Sequence, residues 1–236
     1  MKTKQKFDGY AIQYDEWFMK NENLFTSELK LFQKVLGDVT NKRLLSVGCG
    51  SGLFESYIDC TGLDGIEPSE DMGEIAKKRG VNVIKYSLIE DFDIPDNIYD
   101  IIYFNGSSSY MTDLFPVFKK SLKALKESGK LILLDVPKES AFGCMYLLGK
   151  SLNTYDHDYL RDVLPELPYP LALATSGVWH STEEKIGVLK SLGVRKFSFY
   201  QTLTRNPMYT NEEPEEVSEG YKSGGYVAII AEKQES

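Results

Sequence analysis

Short apolar runs recur along the chain, separated by longer stretches whose apolar residues follow the 3.6-residue period. That alternation predicts a doubly wound parallel sheet with helices between its strands. Strands are predicted at about 43–48, 61–67, 81–86, 99–105, 130–136, 195–203 and 225–233. The helices carry start and stop signals of their own. Ser69 is a candidate N-cap for a helix over 70–79, and Asp113 for one over 114–127. Ser181 with Glu184 three residues on predicts a capping box opening a helix over 182–192. Gly80, Gly129 and Gly193 stand where C′ glycines would close these helices. From about 204 to 224 no helical apolar period runs, and Pro207, Pro214 and Gly220 interrupt the segment. A hairpin-like link between the last two strands is therefore expected. No internal repeat or low-complexity linker breaks the pattern, so residues 1–236 are expected to form one domain.

The first predicted strand runs into a turn with glycines at 48, 50 and 52, and the second ends on Glu67, 19 residues past Gly48. This is a nucleoside-binding layout. Glycines let backbone pass close to a ligand, and a carboxylate can accept hydrogen bonds from both ribose hydroxyls. The dinucleotide fingerprint wants Gly-x-Gly-x-x-Gly, and its third glycine position is Leu53 here. An NAD(P)-dependent oxidoreductase is thereby disfavoured but remains an alternative.

The Gly-x-Gly-x-Gly spacing resembles that of class I S-adenosylmethionine (SAM) dependent methyltransferases. Other segments add to it. Phe7 to Phe18 resembles the family's N-terminal lid helix, and Gly65 to Met72 the end of the second strand and start of the next helix. Ile89 to Phe92 and Asp96 to Asn105 resemble the adenine-side loop and fourth strand; Leu122 to Leu133 resembles the helix, turn and fifth strand usually written with Lys-Pro-Gly-Gly. From about Phe7 to about Lys233 the chain is thus similar to the small-molecule, type-11-like methyltransferases related to the quinone-biosynthesis C-methyltransferases. The resemblance implies a Rossmann-like α/β fold, a sheet of seven strands in the order 3-2-1-4-5-7-6 with the last antiparallel, and N-terminal lid helices within residues 1–40. It also implies SAM as cofactor, with S-adenosylhomocysteine (SAH) as product.

On that resemblance the cofactor would meet Tyr14, Val47, Gly48, Cys49, Gly50, Gly52, Glu67, Pro68, Met72, Ile89, Glu90 and Asn105. Glu67 would hold the ribose, Gly48 and Gly50 the amino-acid moiety, Glu90 or Asp91 the adenine edge, with Ile66 and Ile89 sandwiching the ring. One departure stands out. Ser46 occupies the position, two residues before the first glycine, where the family more often carries the acidic residue that orients the charged end of SAM. Together with the lack of an obvious base, it motivates a second alternative, a noncatalytic SAM-binding protein.

Methyl transfer from a sulfonium is a direct displacement, so the protein's part is alignment, desolvation and, where needed, acceptor deprotonation. Candidates near the methyl are Tyr10, Tyr14, Asn105 and Tyr110; His157 and His180 are candidate general bases. Residues 138–180 are too long for an ordinary connection, carry both histidines, and are rich in aromatics and prolines. They emerge where α/β sheets bind ligands and are expected to form a substrate cap, the plainer alternative being an embellishment that only covers the sheet.

Composition narrows the acceptor. At 236 residues and 42% apolar the chain can bury a sizeable core, and its net charge of −8 argues against nucleic acid. No Asp-Pro-Pro-Tyr or Asn-Pro-Pro-Tyr tetrad follows the fourth strand, which argues against adenine or glutamine amino groups as acceptors. A small molecule with an oxygen, nitrogen or activated carbon acceptor remains. Three cysteines without Cys-x-x-Cys spacing indicate neither a disulfide framework nor a metal site. No window spans a membrane and no signal core follows Met1 to Lys6, so a cytoplasmic monomer or homodimer is expected.

Overall fold

The structure is a computed structural model and describes residues 5–234; the first four residues of the expected lid and the last two of the expected domain lie outside them. Two helices open the chain, α1 (Ala11–Lys20) and α2 (Glu22–Leu36). The sheet then alternates with helices: β1 (Leu44–Val47), β2 (Leu63–Ile66), α3 (Glu70–Lys78), β3 (Asn82–Lys85), β4 (Tyr99–Asn105), α4 (Leu114–Ala124) and β5 (Leu125–Asp135). The expected insert holds α5 (Ala141–Leu152) and α6 (Leu171–Ser176). α7 (Thr182–Ser191), β6 (Lys196–Thr202), β7 (Ser218–Glu219) and β8 (Tyr226–Glu232) complete the chain.

The sheet has the order β3-β2-β1-β4-β5-β8-β6-β7. β8 runs antiparallel between β5 and β6, as the resemblance implied. Among the described residues the sheet has eight strands rather than seven, because two residues of the 204–224 link, Ser218 and Glu219, pair with Tyr200 and Gln201. Central strands are buried on both faces, so neighbouring residues serve opposite layers. Ile101 and Tyr103 of β4 pack with α2 on one side, while Ile102 and Phe104 pack with α4 and α7 on the other. At about 1.5–3 kcal/mol per fully buried large side chain, these two layers hold the fold.

Helix ends follow local chemistry. Asp113 caps α4 through the Phe115 N–H, Ser181 and Glu184 form the capping box of α7, and Gly80 (φ +93°) and Gly193 (φ +96°) occupy C′ positions. Ser69 stands at the N-cap of α3 as expected, its hydroxyl bonded between Asp8 and Asp71 and making no side-chain cap bond. One expectation needs correction. Gly129 is not a C′ residue: α4 ends at Ala124 and β5 begins at once. A Cβ at 129 would lie 2.8 Å from the Lys126 carbonyl oxygen and 3.2 Å from that of Asp100, so glycine is needed there for close backbone approach.

Candidate active site

The carboxyl ends of β1, β4 and β5 and the start of antiparallel β8 converge on one cavity of about 590 Å³, the position at which open α/β sheets bind ligands. Its floor is the glycine turn. Gly48 has φ +70°, and a Cβ there would lie 2.6 Å from that of Ser107, so the turn can pass under β4's end only as glycine.

Glu67 clamps this turn. Its carboxylate accepts the Gly50 N–H at 2.8 Å and the Ser69 N–H at 2.9 Å, one on each oxygen. It is buried, and burial pushes its pKa up to about 7 against the pull of those two donors. A carboxylate offers about four acceptor positions, so capacity remains for ligand hydroxyls. Beside it, Lys120 donates to the carbonyls of Ile89, Glu90 and Phe92, each at 2.8 Å, and so fixes the 89–91 turn against α4.

Of the residues expected around the cofactor, Tyr14, Val47, Gly48, Gly50, Glu67, Pro68, Met72, Ile89, Glu90 and Asn105 all line the cavity, as do Ile66 and Tyr110. Cys49 and Gly52 do not. Cys49 is buried under the turn, where a Gly65 Cβ would come within 2.9 Å of its sulfur, and a Cβ at Gly52 would lie 3.0 Å from the Ala76 Cα. Their place is packing. Asp91 and Tyr10 also stay outside the lining.

Neither histidine reaches the cavity. His157 accepts the Tyr159 N–H through Nδ1 and caps a short 3₁₀ turn at 158–160, so it is corrected from a candidate base to a local cap. His180 bonds through Nε2 to the Met111 carbonyl at 2.7 Å and ties the insert's end to the loop after β4.

The Ser46 departure has a local answer. Ser46 donates to Glu55 Oε1 at 2.8 Å and Tyr103 to the same oxygen at 3.0 Å, so a buried carboxylate from the turn after the glycines occupies this neighbourhood. Burial raises its pKa.

The remaining wall comes from the N-terminal helices and the insert. Tyr14 and Trp17 of α1 face Tyr146 of α5, Tyr169 and Trp179, with ring centroids 5.1 Å apart for Trp17 and Tyr169 and 4.8 Å for Tyr146 and Trp179. Tyr110 and Tyr169 share a hydroxyl bond of 3.1 Å. Sequence reasoning missed two acidic residues in this half. Asp135 is buried and satisfied by Lys185, 3.0 Å away and itself buried, by Ser108, and by the Val136 N–H. Glu28 of α2 also lines the cavity. Its signal was readable: residues 24, 25, 28, 31, 32, 35 and 36 form one buried stripe, and position 28 alone carries a charge.

The N-terminal segment is fastened to the glycine turn and to α3 with its C-cap. Asp15 pairs with Arg79 at 2.7 Å and accepts from Ser51, while the Gly9 N–H donates to Asp71 at 2.9 Å. Among the described residues no group of His, Cys, Asp and Glu forms a metal site, and no helix is long and apolar enough to cross a membrane.

A Gly-x-Gly-x-Gly turn, an acidic residue just past β2 and a ligand cavity at the strand ends of a largely parallel sheet are features of class I SAM-dependent methyltransferases. Comparison agrees: residues 45–133 match the family described as a methyltransferase domain, and the chain is similar to SAM-dependent methyltransferases, with SAM as cofactor. An uncharacterized protein of Methanocaldococcus jannaschii is 29% identical over 229 residues, covering 96% of this chain and 98% of its own. A solved structure from Thermotoga maritima, described as a SAM-dependent methyltransferase and possible histamine N-methyltransferase, has a TM-score of 0.81 at 28% identity, covering 97% of this chain and 98% of that one. The malonyl-acyl-carrier-protein O-methyltransferase 1 of Ilyobacter polytropus is 27% identical over 175 residues, covering 71% of this chain and 60% of its own.

Proposed function

We propose that the protein transfers the methyl group of SAM to a small molecule held between the glycine turn and the aromatic wall. The observation that carries this reading is the continuity of one cavity, from Gly48, Glu67 and Ile89 at one end to Tyr146, Tyr169 and Trp179 at the other. Its size is that of a small-molecule site. Residues 5–20 and the 138–180 insert roof it, which favours an enclosed small acceptor over a polymer. The two relatives above whose descriptions include an acceptor differ in the atom methylated, so family membership does not choose it.

In this reading Glu67 takes the ribose hydroxyls, Ile66 and Ile89 flank the adenine with Glu90 at its edge, and the amino-acid moiety lies along Gly48 and Gly50. Asn105, whose side-chain oxygen is oriented by the Tyr226 hydroxyl at 2.8 Å, stands where β4 meets the reacting groups. SAM supplies a methyl already activated for displacement. The chain's share is to align the acceptor, exclude water beneath the lid, and surround the sulfonium with the electron-rich faces of Tyr14 and Tyr110. The 138–180 segment acts as the substrate cap: it leaves and rejoins the sheet at one point, where the Lys138 N–H donates to the His180 carbonyl.

The test is calorimetric titration with SAM and SAH, NAD serving as control, followed by SAH-release assays over a panel of small acceptors. Saturable binding of the first two and turnover with one acceptor are expected. SAM binding without turnover across oxygen, nitrogen and carbon acceptors would favour a noncatalytic SAM-binding protein; binding of NAD alone would overturn the cofactor assignment.

A further inference from the structure

Glu28 stands apart from the other buried acidic residues of the cavity. It is 7% exposed and lines the cavity, yet its carboxylate has no hydrogen-bond or ion-pair partner among the described residues. Glu67 and Asp135, in the same cavity, are each satisfied by named donors. An unpaired buried carboxylate is costly, and chains retain such groups mainly where a ligand completes them. The surroundings suit a cation. Aromatic side chains, among them Tyr14, Tyr146, Tyr169, Trp179 and Tyr226, share the lining with Glu28 and present electron-rich faces.

Its position fits the acceptor rather than the cofactor. The nucleoside-binding residues sit at the ends of β1 and β2, whereas α2 packs chiefly on β8 and β6 and reaches β4 through Phe32 and Tyr103. The charged groups facing Glu28 agree: Asp135 of β5 lies near enough to disfavour its ionisation, and Glu28 in turn acts on Tyr14, Tyr146, Tyr169 and Tyr226. Lys185 is engaged by Asp135 and does not neutralise Glu28.

We propose, resting on the methyltransferase reading above, that the acceptor is an amine with an apolar or aromatic body, bound as its ammonium ion on Glu28 within the aromatic wall. Burial and the facing Asp135 push the Glu28 carboxyl up to about 8, close to the range where it can take a proton from an ammonium group. Free Glu28 holds its proton near neutral pH; an ammonium ion beside it favours the charged form, so the carboxyl ionises to solvent as the amine binds. The ammonium then gives one proton to the ionised carboxylate, freeing the nitrogen lone pair. The nitrogen attacks the methyl carbon, and the N–C bond forms as the S–C bond breaks. Sulfur keeps that electron pair, the product leaves as a methylated ammonium ion, and Glu28 loses its proton to solvent when the lid opens.

The experiment titrates the SAH-loaded protein with 2-phenylethylamine, tryptamine and hexylamine and with the alcohol analogue of each. Expected is saturable binding of one amine or more, at least 10-fold tighter than its alcohol, with the preference lost in Glu28→Gln while SAH affinity stays within twofold. Amines binding no better than alcohols, or a preference surviving in Glu28→Gln, would overturn the proposal. So would a large loss of SAH affinity in that variant, which would move Glu28 into the cofactor site. Failure of the unaltered protein to bind SAH would instead refute the methyltransferase reading itself. Glu28→Leu gives an independent readout: a carboxylate kept for a ligand lowers stability, so its replacement should raise Tm while abolishing the amine preference, whereas a structural carboxylate would lower Tm when replaced.

Discussion

Replacing Glu67 by alanine tests the cofactor end of the site most directly. Its two oxygens accept from Gly50 and Ser69, and about two acceptor positions remain for the ribose hydroxyls. A hydrogen bond to a charged acceptor contributes about 1.5–3 kcal/mol. Two at the lower end give about 3 kcal/mol, which is about 100-fold in Kd. Titration calorimetry with SAH reads this directly and avoids the reactive sulfonium. Affinity within threefold of the unaltered protein would refute the ribose assignment.

The same residue predicts a pH dependence. Burial holds its carboxyl near 7 in the free protein. Ribose hydroxyls donate to, and so favour, the charged form, so ligand binding lowers that pKa and releases a proton. SAH affinity should therefore rise with pH up to about 7 and level off above, by at most tenfold per pH unit. Glu67→Gln cannot titrate and should remove this component. A profile identical in both proteins would mean that Glu67 does not meet the ligand as an ionised acceptor.

Glu28, whose carboxyl sits near 8 folded against an ordinary 4.5, holds its proton in the native state where the unfolded chain has lost it, so stability falls as pH rises between those values, by on the order of 4 kcal/mol; denaturant unfolding of Glu28→Leu should show a much shallower fall between pH 5 and 8. Gly48→Ala sets a Cβ 2.6 Å from that of Ser107 at positive φ and should cost about 3 kcal/mol of unfolding free energy, whereas Gly50→Ala, with no atom within 4 Å of its Cβ, should cost about 1 kcal/mol but weaken SAH binding. Lys185→Met strands a buried Asp135 and should destabilise the fold by about 3–5 kcal/mol, most of it recovered by adding Asp135→Asn; equal losses in the single and double variants would deny the pairing. Arg79→Ala removes the partner of Asp15 and should change global stability by at most about 1 kcal/mol while accelerating proteolysis within residues 5–20.

How much of this was legible in the sequence depended on where backbone geometry dictates side-chain identity. At the glycine turn it does: the Gly48 turn and its spacing to Glu67 follow from strand, turn and helix succession, and most of the residues that the family resemblance implied around the cofactor line the cavity. The strand order came from that resemblance and not from the pattern, and it lacked the two-residue β7, too short to carry a period. Gly129 was misread because a glycine after a helical pattern looks the same whether it ends a helix or admits a neighbouring backbone. The histidines were misread because a base was sought by residue type, while His157 and His180 had each been taken up by a local backbone bond.

At the acceptor end the dependence reverses. Its walls come from α1, α2 and the 138–180 insert, which meet only through the tertiary fold, so no local spacing announces that Tyr14, Tyr146, Tyr169 and Trp179 share a cavity. What the sequence does offer there is conflict: Glu28 breaks an otherwise apolar helical stripe without a partner, the kind of inconsistency with local rules that marks a functional position. Because Asp15 reaches Arg79 and Ser51, and Gly9 reaches Asp71, residues 5–20 cannot lift from the aromatic half without breaking bonds to the glycine turn and to α3 with its C-cap. On the proposed reading, closure over the acceptor and order in the glycine turn are one structural event, and cofactor contacts at Gly50 and Glu67 would favour the closed lid only to the extent that they strengthen the segments to which it is fastened.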